Sequence, residues 1–171
     1  MVEKVRTKTR EAEPVENLYD QSFRMINEER RKRAQGQVII KGKERSFQQT
    51  RQAMLKYLLH QNDWDKVAVP EWSVFINHIK VHSGRHTHQG GLVLYVLEGK
   101  GYTVVDGVKF PWKKNDLILL PIQPGGVEHQ HFNEDPDQPS EWIAFSFKPM
   151  REAIAHGIEQ KEEHPDWIKK K

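Results

Sequence analysis

The chain has 171 residues, of which 36% are hydrophobic and 30% charged, with a net charge of +3 and no cysteine. That length suits one domain with extensions, and the lack of cysteine excludes disulfides and thiolate metal ligands, so any metal must be held by histidine or carboxylate. No apolar run reaches membrane-spanning length, and the charged start Met1-Val2-Glu3-Lys4 carries no signal-peptide pattern, so a soluble, cytoplasmic protein is expected.

Residues 1–13 alternate in charge with little apolar content and are expected to be a disordered tail. Residues 14–60 read as an arm of one helix and short strands. From Pro14 to about Gln35 the pattern is helical, with Leu18, Met25 and Ile26 as a partial apolar stripe and Gly36 as a stop. Acidic residues lie early in this segment and Arg30-Arg31-Lys32-Arg33 late, as the helix dipole favours. Residues 1–56 hold 14 Lys and Arg against 8 Asp and Glu. No aromatic interleaving accompanies this basic excess, so a solvated helix face is expected and nucleic acid is not an expected partner. Gln37-Val38-Ile39-Ile40 reads as a short strand. Met54 to Leu59 fits either a helix or a strand, and a strand near the barrel edge is preferred.

Residues 61–149 change character. Short β-branched or aromatic runs succeed one another, each closed by Gly, Pro, Asn or Asp: Trp72 to Val81, Leu92 to Leu97, Gly101 to Val105, Asp116 to Leu120, His129 to Phe132 and Trp142 to Phe147. Asp106-Gly107 is a strong hairpin signal. Such spacing indicates an all-β antiparallel sandwich or barrel. Residues 150–171 are expected to be a C-terminal helix, Met150 to about Glu163, and a tail.

Two histidine pairs carry the chemistry. His86-Thr87-His88 and His129-Gln130-His131 are each spaced i, i+2, which on a strand places both imidazoles on one face. Two strands bearing such pairs can aim three or four neutral imidazoles at one ion. Leu92, Leu94 and Val96 alternate inward as an apolar wall, and Trp112 and Trp142 are expected to pack. Asn133 should satisfy backbone groups in the turn after the second pair, and Glu98 should be a turn residue. Arg85 and Gln89 flank the first pair and could steer an anionic substrate. His78 and His82 are expected at an edge or loop, and His60, His156 and His164 on the surface.

The segments Gly84-Arg85-His86-Thr87-His88 and Pro124-Gly125-Gly126 through His129 to Asn133, with Leu97-Glu98-Gly99 and Asp106-Gly107 between them, resemble the two-part motif of the cupin family over roughly residues 73–148. The resemblance implies a cupin double-stranded β-helix, a jelly-roll barrel, here with an N-terminal helical arm and a C-terminal helix. Its metal histidines fall on His86, His88 and His129, and its trailing asparagine on Asn133. Where the family often supplies a carboxylate ligand this chain has Leu92, and the Pro121–His129 loop is a couple of residues longer than usual.

Within the family the segment is most similar to the gentisate 1,2-dioxygenase group, which uses three histidines and no glutamate. Those enzymes usually join two cupin repeats in a longer chain, and this sequence shows one. The resemblance implies a mononuclear non-haem Fe(II) dioxygenase; Zn, Ni, Mn or Cu would also suit the ligands. A three-histidine ferrous site carries a net 2+, which favours a small anionic or chelating substrate such as a hydroxylated aromatic acid. His131 is a candidate catalytic residue, an outer partner or a packed histidine, and Gln89 is a second catalytic candidate. A lyase or isomerase using the metal as a Lewis acid, or a ligand-binding regulatory barrel, are the alternatives. A homodimer is expected, because a small barrel commonly covers its apolar outer surface with a second copy.

Overall fold

The computed structural model describes residues 17–154 and 157–168; the expected tail 1–13 and the start of the helix at Pro14 lie outside them. In chain order the elements are helix α1 (Leu18–Gln35), then strands β1 (Gln48–Gln49), β2 (Met54–Leu59), β3 (Trp72–Ile79), β4 (Arg85–His88), β5 (Leu92–Glu98), β6 (Lys100–Val105), β7 (Val108–Lys113), β8 (Leu117–Leu120), β9 (Val127–Asn133) and β10 (Ser140–Phe147), a short helix α2 (Lys148–Ala153), and β11 (Glu159–Glu162). The strands form two antiparallel sheets. One runs β1-β2-β3-β10-β5-β8 and the other β11-β4-β9-β6-β7. This is the expected all-β, jelly-roll architecture.

The core arises from alternation. Along β10, Ser140, Trp142, Ala144 and Ser146 are buried and their neighbours are less so. Leu94 and Val96 of β5 are fully buried, and Trp112 of β7 and Ile79 of β3 join them in the core. Each such aliphatic side chain contributes about 1.5–3 kcal/mol by leaving water. The β6–β7 hairpin turns at Asp106 and Gly107, with φ of 47° and 83°. Positive φ at both central residues gives the tight turn whose twist matches its flanking strands. Asn133 closes the turn after β9 as expected: its Nδ2 donates to the carbonyls of Lys80 and Gln138, each at 2.9 Å.

Three expectations are corrected. Gln37 to Ile40 is not a strand. Gln37 makes a lone parallel bridge to Val67, while Val38 and Ile39 are exposed because no sheet edge lies beside them. The barrel does not begin at residue 61, since β1 and β2 belong to its larger sheet through pairing of β2 with β3. The segment from Met150 to Glu163 is not one helix. It is helical only to Ala153, and Glu159–Glu162 is a strand paired with β4. The free edge of β4 offers hydrogen bonds that a solvated helix there would leave unused, and tertiary pairing overrides local helix propensity.

Helix α1 starts at Asn17, whose side chain accepts the Asp20 N–H at 3.0 Å, and it buries no residue. Arg33 near its end pairs with Glu71 at the start of β3. No helix among the described residues is long and apolar enough to cross a membrane.

Candidate metal centre

Strands β4 and β9 are neighbours, and their register sets His86 directly opposite His129. The i, i+2 spacing then brings His88 and His131 to the same inner face. His86, His88 and His129 are 5%, 4% and 3% exposed. Their ring centroids lie 4.2 Å (His86–His129), 4.7 Å (His88–His129) and 5.3 Å (His86–His88) apart. One nitrogen of each lies within 4.8 Å of the others. Burying three polar rings against one another is costly unless their nitrogens find partners.

The backbone orients the rings. His86 Nδ1 faces the Gly84 carbonyl at 3.4 Å, and His129 Nδ1 faces the Val127 carbonyl at 3.3 Å. A carbonyl can only accept, so these contacts favour Nδ1–H and leave Nε2 with a lone pair. His88 is held differently, its Nδ1 accepting the Gly90 N–H at 2.9 Å. Gly90 has φ of +84°, and a Cβ there would collide with the Pro121 carbonyl. Only glycine allows the chain to turn this tightly behind His88.

His131 lies behind His129 and is fully buried, with ring centroids 5.4 Å apart. Its ring packs on Trp142 at 4.6 Å. Trp112 Nε1–H donates to Thr103 Oγ at 2.9 Å, and Thr103 Oγ lies 2.7 Å from His131 Nδ1. The indole can only donate, so the threonine hydroxyl is free to donate onward to Nδ1, which places the histidine proton on Nε2. Burial, reinforced by repulsion from His86 and His88, pushes the His131 pKa down to about 3. Burial, then the charges of His86, His131 and His88, holds His129 well below the ordinary histidine value. Both are neutral imidazoles near pH 7, the form that ligates metals.

His86 and His88 border a cavity of about 190 Å³, together with Leu92. Tyr57 and His60 border it from β2 and the turn after it, Phe75 from β3, and Lys148 and Arg151 from α2. No Asp or Glu is among the described residues that border it. Leu92 thus borders the cavity beside His86 and His88, and no described lining residue supplies a carboxylate in its place.

Other expected site residues lie elsewhere. Gln89 does not border the cavity; its carbonyl accepts the Gln123 N–H at 3.1 Å. His131 does not border it either. Arg85 is exposed and faces Glu128 and Glu162, each at 3.5 Å, so it does not steer anions inward. His60 is a half-buried cavity residue and His164 is buried, so neither is a surface residue. His164 is enclosed because its N–H donates to the Arg51 carbonyl at 3.1 Å, tying the C-terminal segment down. His156 lies outside the described residues. Lys148 and Arg151 are cavity residues that no sequence motif singles out. A signal exists nonetheless: Lys148 continues the inward parity of Trp142, Ala144 and Ser146.

A two-sheet barrel with inward histidines from adjacent strands defines the class. Residues 76–146 match the family model described as the cupin domain, and the two-sheet barrel has the cupin fold. A stretch of 59 residues, 34% of this chain, is 41% identical to a gentisate 1,2-dioxygenase of Ralstonia sp. That stretch spans only 16% of the Ralstonia protein. Among solved structures, a cupin-like protein from Thermotoga maritima is similar with a TM-score of 0.52 and 20% identity, over 70% of this chain and 86% of that one. A mutant salicylate 1,2-dioxygenase from Pseudoaminobacter salicylatoxidans in complex with gentisate is similar with a TM-score of 0.51 and 22% identity, over 86% of this chain and 39% of that one. These two likenesses are likenesses of fold.

Proposed function

We propose that the protein is a mononuclear non-haem Fe(II) dioxygenase acting on a small anionic or chelating substrate. The observation that carries this reading is the buried cluster of three imidazoles, of which His86 and His88 border a cavity with no carboxylate among its described lining residues. The donor set fits a divalent transition metal, for which imidazole is a suitable ligand, and His86, His88 and His129 would hold it. Three neutral ligands leave the site its full positive charge, which attracts an anion more strongly in a partly buried cavity than in water. Ferrous iron, when bound, supplies the redox chemistry with dioxygen that side chains lack. Leu92 and Phe75 give the cavity an apolar wall. The Trp112–Thr103–His131 chain stands behind His129, the two imidazole centroids 5.4 Å apart. The segmental identity to a gentisate 1,2-dioxygenase supports the same reading.

The test is oxygen uptake by ferrous-reconstituted protein across a panel of hydroxylated aromatic acids and β-diketones. Uptake is expected with at least one member and none without substrate. Absence of uptake with a fully loaded site would reject the reading, and turnover with Zn or Mn under anaerobic conditions would replace it with Lewis-acid chemistry.

The same reading includes a homodimer. Helix α1 exposes Leu18, Tyr19, Phe23, Met25 and Ile26 and buries nothing. Most helical stability in proteins comes from packing an apolar face; α1 packs none against its own chain, and a second copy supplies the cover it needs. Light scattering should give twice the chain mass, and F23E with I26E should halve it. A wild-type monomer at micromolar concentration would count against the dimer.

A further inference from the structure

We propose that Lys148 and Arg151 form a carboxylate-binding site at the cavity that His86 and His88 border, and that the substrate is therefore a small carboxylic acid. This deepens the reading of the cavity as the substrate site and rests on it. Both residues lie beyond the segment 76–146 that matches the cupin domain.

Their placement arises from the course of the chain. Strand β10 points Ser140, Trp142, Ala144 and Ser146 inward. Lys148 keeps that parity as the strand passes into α2, and it is 8% exposed. Arg151 comes three residues later on a helical turn, which sets the two side chains on one face. Both border the cavity together with His86 and His88.

The electrostatics are unbalanced without a ligand. Neither cation makes an ion pair among the described residues; Asp63, on the turn after β2, is taken by Arg45 at 3.3 Å instead. Burial, then the charge of Arg151, lowers the Lys148 pKa, while Glu152 and Asp63 act in the opposite sense. Two like charges in one partly desolvated cavity repel, and an anion between them removes that penalty. A guanidinium offers a planar fork that matches a carboxylate, and an ammonium adds a point charge.

The rest of the lining limits the body of the acid. Tyr57, Phe75, Leu92 and Leu55 present apolar surface, and about 190 Å³ is small beside the roughly 300–1,000 Å³ of drug-sized pockets. A single ring or a short chain fits this description, and a nucleotide or a peptide does not. Such an acid can place its carboxylate at Lys148 and Arg151 while its body extends along the cavity towards the histidines.

The test is equilibrium binding of salicylate, benzoate and pyruvate to the metal-free protein, read by calorimetry. At least one should bind saturably. K148M and R151M should each weaken it by about tenfold or more, the usual loss for a charge-assisted hydrogen bond. R85M, whose cation faces outward, should not. Benzyl alcohol, which keeps the ring without the charge, should not compete. Saturable binding of none of the three acids, equal competition by inorganic phosphate, or unchanged affinity in both folded variants would overturn the proposal. Failure of the dioxygenase reading looks different, since the acid would still bind through these residues while no oxygen is consumed.

Discussion

His129→Ala is expected to give a folded protein that retains no metal ion. His129 is the one member of the triad contributed by β9, and it stands in register with His86 across the β4–β9 ladder. Its removal leaves two imidazoles from a single strand, which cannot enclose an ion. Loss of an outer partner of a ligand typically lowers metal affinity about 10–100-fold, and loss of the ligand itself should exceed that. The barrel should survive. The variant removes a ring whose polar nitrogens are costly to bury, which offsets part of the cavity it leaves. The measurement is metal content per chain after iron loading and desalting, with circular dichroism to confirm the fold. Stoichiometric metal in the variant would remove His129 from the ligand set. Oxygen uptake should fall to background in step with the metal content.

The second large effect is acid lability of the metal-free protein. His129 and His131 both have folded pKa values below the ordinary histidine value of 6.5. The unfolded chain therefore binds protons that the folded chain refuses, and stability falls as pH falls. The contribution is fully present above about pH 6.5 and is lost progressively towards the folded value, about 3 for His131. Each such histidine costs about 1.4 kcal/mol per pH unit in that window. His131 alone then removes roughly 2 kcal/mol between pH 6.5 and 4.5, against the roughly 5–15 kcal/mol of a typical domain. Urea unfolding at about pH 7.5, 5.5 and 4.5 should show the midpoint dropping, and H131Q should flatten the dependence by close to one proton. A midpoint that does not move over this range would mean that the two rings are not buried as neutral imidazoles. Iron should raise the midpoint most near neutral pH, since an ion that binds only the folded state stabilises it.

Much of this could be read from the residues. The i, i+2 histidine pairs, the Asp106-Gly107 turn and the alternation of Leu94 and Val96 with less buried neighbours are local signals. A strand has a period of two whatever it pairs with. Asn133 was also legible, because an asparagine after a strand readily closes a turn through its own side chain. The C-terminal segment was not. Glu159–Glu162 is polar throughout and has no apolar alternation; it becomes a strand only because β4 offers it an edge. Gln37 to Ile40 failed in the opposite sense, with strong strand propensity and no edge to join.

His60 and His164 were misplaced for a related reason. Burial of an isolated histidine depends on what other segments lay over it, and no spacing rule encodes that. Lys148 follows the inward parity of β10, but Arg151 sits in α2, where the local sequence shows an ordinary surface cation.

The sequence by itself determined the barrel, the inward aim of His86, His88, His129 and His131, and the lack of a carboxylate at Leu92, because strand periodicity and residue identity are local properties. Only the tertiary structure decided that His86 faces His129 across a ladder, that His131 is held behind the triad by Thr103, and that Lys148 and Arg151 share the cavity with the histidines. Those facts depend on strand register and on how the segments after β10 return over the barrel, and both are set by long-range pairing.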